Sequence, residues 1–303
     1  MMVQTGAADC VLAGGVESMS NIEHYTTDMR WGRRSGGSVL RDRLDRGREQ
    51  SQPEWRYGPI SGMIETAENL VQDYEISRED ADEFAVRSHQ RAVAAWATGR
   101  FNDEVVPVDA PQLRRPGPGG PGRGIPPRLR RRDTVQAPDG ASGRYGDGGQ
   151  RCVAERRSGR LPDGRRRRPR TARSRADRSP AGWAAVGCDP SRMGIAAVPA
   201  TAKLLASTGL DLGDMDLVEV NEAFACQVLS VLSEWGWHDE ERLNVHGGGI
   251  SLGHPIAATG VRMMTTLVHE LRRREGRYGL ETMCIPGGQG MGRDFRARAL
   301  VRL

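Results

Sequence analysis

Two side chains near the C-terminal end of this sequence are of types that can move protons together. His254 stands immediately before Pro255, and Cys284 lies near the end of a short apolar run, Leu280 to Ile285, that passes into Pro286, Gly287 and Gly288. A histidine at the start of a helix feels the positive end of the helix dipole, which favours the neutral, proton-accepting ring. A thiol followed by glycines sits beside backbone that a substrate can approach closely. These residues belong to three glycine-rich or polar turns: Asn221-Glu222-Ala223-Phe224-Ala225, Gly247 to Pro255, and Cys284 to Gly290. Type and spacing alone define a Cys/His site and nothing more specific.

The elements that must position these turns can be read from the flanking residues. Pro199 to Thr208 reads as a helix with proline in its first turn, Leu217 to Val220 as a strand, Glu222 to Trp235 as a helix with an apolar face, and Pro255 to Arg274 as another helix. Leu280 to Ile285 reads as a strand entering a glycine turn. This alternation predicts an α/β layered fold with a mostly parallel sheet. Earlier in the chain, Asp9 to Gly14 reads as a buried strand, Val16 to Pro59 as mostly loop, and Phe101 to Val108 as a short strand. Ser77 caps a helix with acids at Glu79, Asp80 and Asp82 in its first turn, an apolar face through Ala81, Phe84, Ala85, Ser88 and Ala92, and Gly99 as its stop. Trp235 and Trp237 flank a glycine at a helix end and read as packing residues.

The 303 residues suffice for one large domain or two ordinary ones, and 37% hydrophobic content can fill a core. A mean hydropathy of -0.57, no run near 18 apolar residues, and a Met1 to Gly15 segment without signal-peptide order argue for a soluble, cytoplasmic protein with no membrane partner. Five scattered cysteines without CxxC spacing indicate neither a disulfide framework nor a structural zinc site, so no metal is expected. The charge is uneven. From Arg114 to Pro180, 20 Arg stand against six acids, a net +14 that leaves -9 for the rest of a chain whose total is +5. Those 67 residues hold 21 Gly and Pro and seven of the larger apolar types, too few to offset the entropy of ordering. Dense arginine also suits phosphate neutralisation, but with Tyr145 as its one aromatic the segment offers poor stacking platforms, so nucleic acid is not the expected partner.

The ordered set of motifs resembles the thiolase family of acyl-CoA C-acyltransferases. The resemblance rests on AGGVESMS (13–20), Thr66-Ala67-Glu68, Ser77-Arg78-Glu79 with Ser88-His89-Gln90-Arg91-Ala92, NEAFA (221–225), GGGISLGHP (247–255) and CIPGGQG (284–290). It covers about residues 4–110 and 187–292. It implies a thiolase fold of two similar α/β halves in five layers, and an acetyl-CoA acetyltransferase or 3-ketoacyl-CoA thiolase activity: acyl transfer between coenzyme A thioesters through a nucleophilic cysteine. No tightly bound cofactor is implied; coenzyme A and acetyl-CoA are substrates. His254 would activate the nucleophile and polarise the thioester carbonyl, and Cys284 would move the α-proton. Asn221 would hold an oxyanion-stabilising water, Glu222 would orient its neighbours, and His89 would lie near coenzyme A. The family forms homodimers or homotetramers. Met29 to Arg34 is similar to the loop of broad-range β-ketothiolases.

Three departures qualify these expectations. The family's nucleophilic cysteine lies upstream of the AGGVESMS block, whereas this sequence begins a dozen residues before it, and Cys10 reads as a strand thiol. An N-terminally truncated, inactive chain with an incomplete first half is therefore expected, and such a chain is not expected to assemble as the family does. Pro286 occupies a position where the family carries a backbone N–H, which proline lacks. Third, the arginine-rich stretch stands where the family's coenzyme A block belongs. Lys203 is the sole lysine, as GC-rich codons would give, and a one-base shift turns CGC arginine into GCC alanine. A frame-shifted middle segment is the expected explanation. The organisation expected is thus residues 1–110 as the remnant of an N-terminal half with its loop domain, 111–186 as a disordered or out-of-frame segment, and 187–303 as the C-terminal half. A non-catalytic coenzyme A-binding protein is the alternative to an enzyme.

Overall fold

The computed structural model describes residues 5–7, 13–19, 22–43, 52–58, 62–106 and 178–297. The strand expected from Asp9, Cys10, Cys152 and the arginine-rich stretch before residue 178 lie outside the described residues.

The first half contributes a two-residue antiparallel pair, β1 (His24–Tyr25) with β2 (Arg41–Asp42), then helices α1 (Glu54–Tyr57), α2 (Met63–Tyr74) and α3 (Arg78–Ala97). The α3 helix starts where its cap predicts: Ser77 Oγ accepts the Asp80 N–H at 3.1 Å. It ends before Gly99, whose φ of +67° only glycine adopts at little cost. The strand expected at Phe101 is instead a turn, with Asn102 N–H donated to the Gly99 carbonyl and Glu104 N–H to that of Phe101. Phe101 is drawn back onto Ala92, Ala95 and Leu252, and that packing overrides its β preference.

The second half is a four-stranded sheet in the order β3-β6-β5-β4. Its strands are β3 (Arg178–Gly187), β4 (Leu217–Val220), β5 (Tyr278–Ile285) and β6 (Gln289–Ala297). Only β4 and β5 are parallel; β6 is antiparallel to both β5 and β3. The expectation of a mostly parallel sheet is thus corrected, because the glycine turn after Cys284 is a hairpin that returns the chain along β5. β3 begins at Arg178, upstream of residue 187.

Helix α4 (Ala197–Thr208) and α5 (Ala225–Trp235) share one core with Val218, Val220, Leu280 and Ala184, whereas α7 (Thr259–Arg273) packs on β4 and β5. Leu217 and Phe295 meet Leu267 and Leu271 of α7, so alternate strand residues face the two helical layers. Gly292 lies against Ala200 and Leu204 on one face and Gly279 against Leu267 and Leu271 on the other. Trp235 and Trp237 pack on the main core around Gly236, as expected.

Two helices begin later than their sequence suggests. α5 starts at Ala225 rather than Glu222 because the Glu222 side chain is committed to three other elements. α7 starts at Thr259 rather than Pro255, preceded by a one-turn helix α6 (Gly249–Leu252) and a turn over 256–258.

Candidate functional site

His254 lies in the connection between α6 and α7. Its Nδ1 is 2.6 Å from Thr259 Oγ1, and that hydroxyl donates its hydrogen to the Pro255 carbonyl at 3.1 Å. A hydroxyl that has given its one hydrogen away can only accept from the ring, so Nδ1 carries the proton and Nε2 presents a lone pair. Nε2 is 3.4 Å from Asn221 Nδ2, a donor that matches this tautomer. The ring is neutral for a reason other than the one expected. Because α7 begins five residues later, burial comes first and the charge of Arg262 second in holding the imidazole down to about 4.

Asn221 follows the last residue of β4 and donates its backbone N–H to the Thr282 carbonyl of β5 at 3.0 Å. Its Oδ1 is buried with no hydrogen-bond partner. Cys284 is two residues beyond Thr282 on the same strand, buried against Met193 and Ala196 with Met63, Cys188 and Ala223 alongside. Burial pushes its thiol up to about 12, so at neutral pH it is a protonated sulfur that can give a proton rather than a standing thiolate. Beyond it, Gly287 and Gly288 take φ values of +89° and +77°, and a Cβ on Gly288 would lie 2.5 Å from the Cys188 carbonyl oxygen. The glycines after Cys284 are therefore needed for the hairpin itself.

The loop before His254 is pinned from below. Glu222 Oε2 accepts from Ser88 Oγ at 2.6 Å and from the Ile250 N–H at 3.3 Å, while Oε1 accepts from Asn244 Nδ2 at 2.9 Å. Asn244 is itself bonded to both backbone groups of Val220. Gly248 must be glycine here, since a Cβ would come within 2.4 Å of the Glu222 carboxyl carbon. The AGGVES turn meets the same loop from the other end of the chain: the Ala257 N–H reaches Glu17 Oε2 at 3.4 Å, and Gly15 lies against the Ala257 carbonyl too closely for any side chain.

The structure therefore brings Asn221 and His254 into contact, sets Cys284 at the neighbouring strand end, and gives Glu222 the orienting place expected of it. His89 is different. It is a buried residue of α3 whose Nδ1 has no partner, it hydrogen-bonds to neither His254 nor Asn221, and burial holds its ring down to about 4. Sequence reasoning missed Thr259, Asn244 and Ser88. A threonine five residues after the histidine was the available signal for the first; Ser88 stood inside the Ser88-to-Ala92 motif with nothing to mark Glu222 as its partner, and Asn244 left no signal. His246 reaches Glu270 Oε2 at 2.9 Å and meets Phe101 edge-on.

Two family models match the chain: the thiolase N-terminal domain over residues 1–116 and the thiolase C-terminal domain over 178–296. The probable acetyl-CoA acetyltransferase of Escherichia coli is 40% identical over 302 residues, covering 95% of this chain and 72% of that protein. The bovine mitochondrial 3-ketoacyl-CoA thiolase is 38% identical, covering 94% and 70%. Among solved structures, Bacillus anthracis acetyl-CoA acetyltransferase superposes with a TM-score of 0.83 at 33% identity, over 98% of this chain and 74% of that one. Human mitochondrial 3-ketoacyl-CoA thiolase in complex with CoA gives 0.81 at 32%, over 98% and 73%.

Proposed function

The chain belongs to the thiolase family of acyltransferases, and on that premise we propose that Asn221, His254 and Cys284 form the acid–base half of a site for acyl transfer between coenzyme A thioesters, making or cleaving a β-ketoacyl-CoA. The observation that carries this reading is the Thr259–His254–Asn221 chain of contacts, which fixes a neutral imidazole whose Nε2 lone pair faces Asn221 Nδ2, with a thiol held protonated by burial near the end of the neighbouring strand.

In the cleavage direction Cys284 gives its proton to the carbon that develops carbanion character, and in the condensing direction the resulting thiolate takes one back. The developing enolate oxygen needs fixed donors; Asn221 Nδ2 is one, and the orphan Oδ1 can hold a water that supplies another. Coenzyme A thioesters are the substrates, and no tightly bound cofactor takes part. His89, buried on α3, is assigned to the coenzyme A side.

The 303-residue polypeptide is expected not to turn over. Acyl transfer needs a cysteine that can exist as a thiolate, and among the described residues burial raises Cys188, Cys226 and Cys284 alike above the ordinary thiol range, with Cys226 and Cys284 at about 12. Coenzyme A thioester binding without turnover is then the expected behaviour, in the cytoplasm, with no membrane or nucleic-acid partner and without the family's dimer or tetramer. Among the described residues no helix is long and apolar enough to cross a membrane. An acetoacetyl-CoA thiolysis assay run beside acetyl-CoA titration calorimetry tests the proposal. Saturable binding with no thiolysis is expected, while any thiolysis by the chain would overturn the claim that it does not turn over.

A further inference from the structure

The hydrogen bonds on the two sides of the His254 ring are out of balance. On the Nδ1 side the Pro255 carbonyl accepts from three donors: the Ala258 N–H at 2.7 Å, the Thr259 N–H at 2.9 Å and the Thr259 hydroxyl at 3.1 Å. A carbonyl oxygen has two lone pairs, which the backbone N–H groups already fill, so the hydroxyl, at the longest distance, is the surplus donor. On the Nε2 side Asn221 Oδ1 is buried without a partner, while Nδ2 faces the ring from 3.4 Å. Among the described residues Nδ2 makes no other hydrogen bond. Asn221 is 1% exposed and Thr259 is fully buried, so neither side chain can turn to bulk solvent instead.

One rearrangement removes both faults. The Thr259 hydroxyl turns about its Cβ–Oγ1 bond from Pro255 to His254 Nδ1, and the 2.6 Å contact is kept with donor and acceptor exchanged. The Asn221 amide turns over by half a turn, which puts Oδ1 where Nδ2 stood, 3.4 Å from Nε2. The ring then carries its proton on Nε2 and donates it to the oxygen that had no partner, while the Pro255 carbonyl keeps its two backbone donors. No backbone atom has to move. The neutral ring holds one proton in either arrangement: passing between them releases the Nδ1 proton to water and takes one up at Nε2.

We propose that Thr259 is a positioning residue that selects the tautomer of His254: with its hydroxyl turned to Pro255 the ring is an acceptor at Nε2, and with the hydroxyl turned to Nδ1 the ring is a donor there. The first form takes a proton from a thiol. The second gives a hydrogen bond to a thioester or enolate oxygen that stands in place of Asn221 Oδ1. One histidine thereby serves two steps that need opposite hydrogen-bonding roles. The inference rests on the reading of His254 as a base, but its test needs neither turnover nor coenzyme A binding, so a failed thiolysis or binding experiment leaves it readable.

Nitrogen-15 NMR of the histidine-labelled full-length chain reads the tautomer, with the His254 signals assigned by their loss in His254→Gln. At neutral pH in the parent, Nδ1 shows the resonance of a protonated ring nitrogen and Nε2 that of an unprotonated one. Thr259→Val offers Nδ1 neither acceptor nor donor, so the two resonances exchange places as the proton moves to Nε2. Thr259→Ser keeps the hydroxyl and gives the parent spectrum. Asn221→Asp leaves Thr259 in place and presents only oxygen to Nε2. Read at alkaline pH, where its ring is neutral, it also carries the proton on Nε2, with the hydroxyl donating to Nδ1. A threonine that merely packs the start of α7 would lower the melting temperature of the valine variant and leave the proton on Nδ1. That result overturns the proposal, as does a neutral Asn221→Asp ring that stays protonated on Nδ1. If Thr259→Val does not fold, Asn221→Asp decides by the same criterion.

Discussion

Glu222 and Glu219 lie three positions apart, both buried, and they are treated in opposite ways. Glu222 accepts hydrogen bonds from a serine, an asparagine amide and a backbone N–H on three separate elements. Glu219 has one oxygen without a partner and a guanidinium at 3.7 Å. A buried carboxyl that is hydrogen-bonded on every side locks geometry, whereas one left short of partners is balanced by charge and by holding its proton. The polar knot around Glu222 therefore fixes the shape of the His254 loop. The charged pair of Glu219 and Arg262 sets the electrostatics behind it.

This contrast is broken most strongly at Glu222. Glu222→Ala leaves the Ile250 N–H without its acceptor and removes one bond each from Ser88 and Asn244, and a loss of about 3 kcal/mol or more is expected in urea unfolding. A loss under about 1 kcal/mol would mean that the knot does not hold the loop. Gly248→Ala attacks the same knot sterically, pressing a methyl into the Glu222 carboxyl, with an expected cost of about 2 kcal/mol.

Two pH experiments sharpen the other side. Glu219 is raised to about 8, so below about 4.5 its carboxyl is protonated folded or unfolded, and as pH climbs from there towards 8 the unfolded chain ionises first and stability drains away. Glu219→Gln should flatten that decline, and an unchanged slope would remove Glu219 from the account. Glu270 has the opposite sign. Burial alone would raise it, but the His246 ring nitrogen at 2.9 Å and hydrogen bonds from Arg274 and Arg273 bring it down to about 2. Its contribution, on the order of 2 kcal/mol, is present above about 4.5 and lost as pH falls towards 2. His246→Ala should shrink that acid limb. The smallest effect belongs to the first half, where Trp31 is 94% exposed: Trp31→Ser should change stability by less than about 0.5 kcal/mol.

The α3 cap, the β4 and β5 strands and the Cys/His turns were legible because each is written locally, in a capping serine, an apolar run or a glycine cluster. Asn221 and His254 became a pair only through the motifs NEAFA and GGGISLGHP, since nothing in their spacing says that one strand end and one helix lead should meet. The sheet direction was misread because the return of β6 hides in the same glycines that mark the site. The start of α7 was misread because Pro255 permits a helix without requiring one. The knot joining Ser88, Glu222, Asn244 and Ile250 was illegible, being assembled from long-range contacts between ordinary polar residues.

The central claim, an acid–base half-site without an acyl carrier, is tested most directly by proton exchange. Acetyl-CoA incubated with the full chain in deuterium oxide should incorporate deuterium at its methyl group, with no acetoacetyl-CoA formed and no incorporation in Cys284→Ala. Acetyl-CoA that binds the chain saturably and keeps all of its methyl protons would contradict the account.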